Sequence, residues 1–487
     1  MERFNSGKLM LGILPIVAVS CGVTKDNAKA PEQPNIIYIM VDDMGYGDLS
    51  CFGQKQFATP NIDRLAAEGI TFTRFYTGSS VCAPSRASLL TGKHTGHTNV
   101  RGNMPAQLLS DTEPTIAKIL KEAGYRTGAV GKWGIGHPPP VDDPQRKGFD
   151  YFYGYINMWH AHNLFPEFLY RNGEKVLLKN KINWVNGKDP WEGHPEGTGV
   201  ADVREEYVHD LFDREAINYI ESNKDNKFFL YLAYNVPHAN NEKKPDGMEV
   251  DNYHEFADTD WPIQEKGFAA MMQNLDNSVG MILAKLKELN IDKNTMVVFC
   301  SDNGPHQEGG HMVDFFDSNG AKRGSKRDFY DGGVLTPFIV RWPDQVTAGT
   351  QSDHVAAFWD VLPTFCDITG IQKPADTDGI SILPTLLNKT EDQKKHDYLY
   401  WEFYEQGGKQ AILKGNWKAI RLNVRETAEK QIFELYDLGK DPEETNNVAE
   451  LHPELVKEFN ELFISARQEF SVTPLFTKDT KSVETPF

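Results

Sequence analysis

The chain is predicted to be an α/β protein: a mainly parallel β-sheet with helices covering both faces. Three observations predict it. Asn35 to Val41 (Asn-Ile-Ile-Tyr-Ile-Met-Val) is a near-continuous apolar run, the pattern of a strand buried on both faces of a parallel sheet. Beyond it, apolar β-rich runs alternate with helical ones. Polar clusters then follow directly on three of the strands, where an open α/β sheet places its ligands.

Ahead of that fold, Arg3 and Lys8 precede an apolar stretch from Leu9 to Val19, broken only by Gly12 and Pro15 and followed by Ser20 and Cys21. Residues 1–21 read as an export signal, because the stretch is too short to span a bilayer. They resemble a bacterial lipoprotein signal with Cys21 as the lipidated N-terminus, although Ala18 stands where that pattern usually has Leu. The expectation is an exported protein of a Gram-negative bacterium, periplasmic or attached to the outer membrane, that meets a membrane only through this anchor. Residues 22–34 read as a tether, polar from Lys25 to Pro34.

The main domain is placed at residues 35–390. After the first strand, Asn61 to Glu68 carries Ile62, Leu65 and Ala66 on one side, with Gly69 set to end a helix. Pro114 to Ala123 repeats the device: Ile116, Ile119 and Leu120 face inward, Gly124 closes, and Thr127 to Val130 begins another strand. Phe228 to Tyr234 is a third apolar strand, Ile263 to Leu289 has long helical periodicity, and Thr295 to Cys300 is again a strand. Residues 391–487 read as a smaller α+β unit. There, Ala411 to Leu422 holds short strands about a Gly415-Asn416 turn. A helix from Pro453 to about Ala466 follows, with Leu455, Phe459, Leu462 and Phe463 on one face. No internal repeat is present.

With 487 residues, 40% hydrophobic and 11% aromatic, the chain can bury a large core. Its 51 basic and 69 acidic side chains leave a net charge of −18, which argues against a nucleic-acid partner. An anionic substrate then needs positive groups focused locally. Apart from Cys21 and Cys82, only Cys51, Cys300 and Cys366 remain, so the fold must rest on its core rather than on disulfides.

The polar clusters supply chemistry. Val41 leads to Asp42-Asp43, Tyr234 to Asn235-Val236-Pro237-His238, and Cys300 to Ser301-Asp302-Asn303-Gly304. Three carboxylates and an amide oxygen, from two strands, form an all-oxygen set suited to Ca²⁺ before Mg²⁺. No Cys/His spacing suggests zinc.

The run Cys82-Ala83-Pro84-Ser85-Arg86, continuing to Thr91-Gly92, resembles the Cys-x-Pro-Ser-Arg signature of type I sulfatases. The resemblance covers roughly residues 35 to 450. It implies an alkaline-phosphatase-like fold and hydrolysis of sulfate esters, and it makes Glu434 to Leu438 the closing strand of the C-terminal subdomain. It further implies oxidation of Cys82 to formylglycine by a formylglycine-generating or anaerobic sulfatase-maturing enzyme. Asp42, Asp43, Asp302 and Asn303 match the calcium ligands, with modified Cys82 completing the shell. Arg86 matches the motif arginine that steadies the formylglycine, and Lys132 and Lys326 match two lysines that grip sulfate. His238 matches the histidine beside the leaving-group oxygen. One departure stands out: where the family often reads Gly-Lys-Trp-His, this chain has Gly131-Lys132-Trp133-Gly134. His137 is a conceivable substitute base.

The implied substrate is a sulfated carbohydrate, attacked from a chain end. Two stretches rich in aromatic and amide or imidazole groups could read it: Phe152 to Asn163, with His160 and His162, and Trp401 to Gln410, with Glu405 and Gln410. Two other readings stay open. One is a phosphate or phosphonate monoester hydrolase of the same superfamily, built on a similar cation cradle. The other is a surface glycan-binding protein without the chemistry.

Overall fold

The strand Asn35–Val41 lies at the centre of a ten-stranded sheet in the computed structural model. The structure describes residues 1–2, 33–103, 107–135, 143–183, 196–470 and 475. The export-signal reading, Cys21, the tether up to residue 32 and His137 lie outside the described residues. From Gln33 onward the described residues make one compact unit.

Strand order across the sheet is Thr350–Ser352, Ile70–Phe72, Phe338–Arg341, Thr295–Ser301, Asn35–Val41, Phe228–Ala233, Arg126–Lys132, Tyr151–Tyr155, Phe168–Arg171 and Glu174–Leu177. Only Phe338–Arg341 and Phe168–Arg171 run against the others. The expected strands are present, with ends within one or two residues of the apolar runs. Arg126–Lys132, for instance, extends two residues past Val130. The hairpin Phe168–Leu177 is an element the apolar pattern did not reveal. Its signal is Asn172-Gly173, both at positive φ (50° and 86°), the residue pair that a tight hairpin turn favours.

Period-2 alternation sends the first strand's side chains into two cores. Ile37, Ile39 and Val41 pack with residues of the helices Pro60–Ala67, Val208–Asn223 and Ile263–Glu288. Ile36, Tyr38 and Met40 pack on the opposite side with Cys82–Thr91, Ile116–Glu122 and Val361–Thr369. Helix Ile116–Glu122 starts two residues later than Pro114, because Thr115 caps it by accepting the N–H of Lys118. Burial of each such aliphatic or aromatic side chain contributes about 1.5–3 kcal/mol.

C-terminally, Leu399–Phe403, Lys409–Lys414, Trp417–Leu422 and Ile432–Asp437 form a separate four-stranded antiparallel sheet. Trp401, Phe403, Ala411 and Leu413 turn one face to Tyr76, Val81 and Phe329 of the main body. Tyr400, Ile412, Ala419 and Leu435 turn the other face to Phe459 and Phe463 of the helix Pro453–Ser465. Among the described residues, no helix is long and apolar enough to cross a membrane.

Candidate active site

The parallel central strands all end at one edge of the sheet, and register fixes which residues meet there. Met40 pairs with Ala233 and with Cys300, and Ala233 with Gly131. Asp42, Asp302, Lys132 and the segment leading to His238 therefore leave the sheet side by side. Cys82 and Arg86 enter from the helix Cys82–Thr91 packed on one face, and Lys326 comes from the loop before the short helix Asp331–Val334. All of these side chains are buried; even Cys82 and Lys326 are only 3% and 7% exposed.

The nest is held by charge. Arg86 Nε donates to Asp302 Oδ2 at 2.9 Å, and its Nη1 donates to the Lys132 carbonyl at 2.6 Å. Lys132 Nζ donates to Asp42 Oδ2 at 2.6 Å, and Lys326 Nζ to Asp43 Oδ2 at 2.7 Å. Asp43 adopts a left-handed backbone (φ 68°), a strained conformation for a non-glycine residue. Its N–H is tied to Asp302 Oδ1 at 3.1 Å, and its Oδ1 accepts from Asn303 Nδ2 at 2.6 Å.

Burial alone would raise every carboxyl here. For Asp42 the Lys132 ammonium, with His238 and Arg86, outweighs burial and holds the carboxyl well below its usual range. Asp43 is likewise lowered, by Lys326 and His238 against burial. Asp302 is pushed up to about 7, by burial and then by repulsion from Asp42.

The donor set matches a hard cation. Oxygens of Asp42, Asp43 and Asp302 lie within 4.8 Å of one another. Among the described residues, the buried Asp42 Oδ1 and Asn303 Oδ1 have no hydrogen-bond donor. Buried acceptors are seldom left in that state, and a cation coordinated by oxygen would satisfy both.

His238 sits at the edge of this nest. Its Nδ1 donates to the Ala239 carbonyl at 2.7 Å, which leaves Nε2 as acceptor from Lys326 Nζ at 3.1 Å. Burial, reinforced by Lys326, pushes its pKa down to about 3. Glu308 and Arg327 also belong to the cluster: Lys326 Nζ donates to Glu308 Oε2 at 2.9 Å, and Arg327 Nη2 lies 2.7 Å from Glu308 Oε1. Both are sequence neighbours of motif residues, six positions after Asp302 and one after Lys326, but a lone charge there carries no distinguishing pattern.

Of the four candidate sugar-reading residues, the structure brings His162 and Glu405 to this region. The His162 ring stacks on His238, and its Nδ1 lies 3.3 Å from Glu242 Oε1. Glu405 Oε1 accepts the backbone N–H of Asn103, whose Oδ1 faces Cys82. His160 and Gln410 make their contacts elsewhere. His160 is 1% exposed among Tyr155, Phe168 and Tyr170, and burial takes its pKa down to about 3. Gln410 is buried in the C-terminal sheet, where its Nε2 donates to the Tyr400 hydroxyl at 2.7 Å.

Gly134 has φ +71°, and a Cβ there would come within 3.1 Å of Lys132 Cε. The missing His is therefore matched by a backbone that disfavours any side chain at that position.

The chain is similar in sequence and in fold to known proteins. A family model described as Sulfatase matches residues 34–371, and one described as N-sulphoglucosamine sulphohydrolase, C-terminal, matches residues 323–469. An N-acetylgalactosamine-6-O-sulfatase of Bacteroides thetaiotaomicron is 32% identical over 527 aligned residues, covering 94% of this chain and 98% of the relative. A solved structure from work on the metabolism of multiple glycosaminoglycans by Bacteroides thetaiotaomicron has a TM-score of 0.72 at 29% identity, covering 90% of this chain and 100% of that one. Ps i-CgsB, in complex with k-i-k-neocarrahexaose, also reaches 0.72, at 26% identity, covering 92% and 96%.

Proposed function

This chain belongs to the sulfatase family, and from that premise we propose that it removes sulfate from the terminal sugar of a sulfated glycan. The reading has Cys82 matured to formylglycine and Asp42, Asp43, Asp302 and Asn303 holding Ca²⁺. The observation that carries it is the convergence of Cys82, Lys132 and Lys326 on a carboxylate nest with two unsatisfied buried oxygens. When present, the hydrated aldehyde supplies an oxygen nucleophile that can later expel sulfate, and the dication lowers the pKa of that hydroxyl.

The chain's own residues do the rest. Arg86, bonded to Asp302 and to the Lys132 carbonyl, fixes the metal-binding loop against the nucleophile helix. Lys132 and Lys326 are raised in pKa because their carboxylate partners outweigh burial, so both stay charged and can grip sulfate oxygens. His238 protonates the departing sugar oxygen from Nε2. An anionic sulfate beside it favours the protonated ring that this role needs. Burial of the whole nest suits a sugar entering by its sulfated end.

The relative acting on N-acetylgalactosamine makes its 6-O-sulfate the first substrate to assay. Export as a lipoprotein through Cys21 is part of the same proposal, and fractionation of the producing cells tests it. The function itself is tested by mass spectrometry of the Cys82 peptide together with matched sulfate and phosphate esters. An aldehyde and selective sulfate release are expected. An intact thiol with no turnover favours a glycan-binding protein, and faster phosphate release favours a phosphomonoesterase.

A further inference from the structure

The thiol of Cys82 lies 3.6 Å from Oδ1 of Asn103, placed to donate to it. The same oxygen accepts the backbone N–H of Ala83 at 3.2 Å. This second bond serves the helix Cys82–Thr91, whose N-cap, Val81, has no side-chain oxygen and makes no cap bond. A distant loop thus provides the cap that the local sequence lacks.

That loop is clamped to the C-terminal sheet at two points. Asn103 N–H donates to Glu405 Oε1 at 2.6 Å, and Arg101 Nη1 donates to Glu402 Oε1 at 2.5 Å. Glu402 lies in the strand Leu399–Phe403, and Glu405 two residues past its end. Arg101 and Glu402 are both buried, so the clamp is not loosened by water.

We propose that Asn103 orients the reactive side chain of residue 82, and that Glu405 is a positioning residue acting through Asn103. The inference rests on the formylglycine reading above. Gly134 carries no side chain, a Cβ there meeting Lys132 and Arg86, and among the described residues Asn103 is the hydrogen-bond partner of the Cys82 sulfur. An amide oxygen can accept a hydrogen bond from a hydroxyl but is too weak a base to take its proton. Asn103 therefore sets the direction in which the residue 82 hydroxyl points and leaves deprotonation to another group. Such pre-orientation acts on the reacting centre, not on the leaving group.

The test uses the full chain carrying N103A, N103D, E405Q or E405A, made in a host that matures the wild type. Aldehyde content at residue 82, melting temperature, and kcat and KM on an activated aryl sulfate and on the sugar sulfate are measured. Aldehyde content is expected to match wild type throughout. In N103A, kcat falls roughly 2- to 10-fold, as for a lost hydrogen bond between neutral groups. The fall is equal on both substrates, with KM little changed. N103D keeps an acceptor and a good cap and recovers the melting temperature; E405Q falls less than E405A. Wild-type kcat in N103A at full aldehyde content overturns the inference. So does a loss fully explained by lower aldehyde content. A wild type with an intact thiol and no activity defeats the formylglycine reading instead, and the inference with it.

Discussion

The rings of His162 and His238 stack with centroids 4.7 Å apart and planes 12° from parallel. One face of His238 is thereby covered, and Nε2 is left as its working edge. His162 is itself held by Glu242, whose Oε2 is buried without a hydrogen-bond partner among the described residues. This pair is where the nest of charge passes into the region expected to meet the sugar.

His238→Ala should harm substrates with poor leaving groups far more than those with good ones. A sugar alkoxide needs a proton on departure, whereas a nitrophenolate leaves largely unaided. General-acid help is worth about 10²- to 10⁴-fold, so the ratio of sugar-sulfate to nitrophenyl-sulfate activity should drop by a comparable factor. Equal losses on both would assign His238 to holding the sulfate or the carboxylate nest.

Cys82→Ala should end sulfate release while the protein still folds. The side chain is small, and the helix keeps its Asn103 cap through the Ala83 N–H. Melting temperature and circular dichroism should stay near wild type. Measurable multiple turnover by this variant would remove Cys82 from the chemistry.

Asp302→Ala should abolish activity together with bound metal. It also strips Arg86 of its two contacts to Asp302, at 2.9 and 2.8 Å, leaving a buried guanidinium short of partners. Loss of one partner of such a pair costs about 3–5 kcal/mol, so a lower melting temperature is expected as well. Elemental analysis of the wild type should find about one calcium per chain. Activity that tracks zinc content would overturn the assignment.

His160→Phe should leave substrate preference untouched and make the protein more resistant to acid. The folded-state pKa, about 3, lies below the ordinary value near 6.5, so the unfolded chain binds the extra proton between them. Stability is then full above about pH 6.5 and is lost as pH falls toward 3. At pH 5 this single residue costs roughly 2 kcal/mol, which the Phe variant recovers. Melting curves at pH 8 and pH 5 should therefore lie closer together in the variant; an unchanged gap, or an altered sugar preference, would contradict the buried placement.

Lys418→Met should destabilise without touching kcat. Lys418 is fully buried and bridges Asp331 at 2.7 Å and Glu444 at 2.9 Å, joining the C-terminal sheet to the main body. Removing the cation leaves two buried acidic groups facing each other, a loss of about 3–5 kcal/mol. Denaturant titration should show it, with kcat unchanged under conditions where the variant is folded.

Much of the site was legible because its residues are announced locally. Asp42-Asp43 and Asp302-Asn303 each follow an apolar run whose type and end are set by neighbours in sequence, and Cys82-x-Pro-Ser-Arg is one helical turn. Strand identity is likewise a local property, since burial on both faces demands an unbroken apolar stretch. The Phe168–Leu177 hairpin was hidden because Arg171, Glu174 and Lys175 keep its apolar stretches short, although Asn172-Gly173 marked its turn.

Which candidates meet was decided by tertiary structure alone. His160 and His162 are two residues apart in one 3₁₀ turn, where residues at that spacing point in different directions. One therefore enters the aromatic core and the other reaches His238. Gln410 lies opposite Glu402 in the antiparallel register and bonds Tyr400, while Glu405, beyond the strand end, bends back to Asn103. Composition and motif determined the chemistry this chain can hold. Strand register and the docking of the C-terminal sheet determined which of those groups share a site, because contacts between distant residues are fixed by packing that no local pattern records.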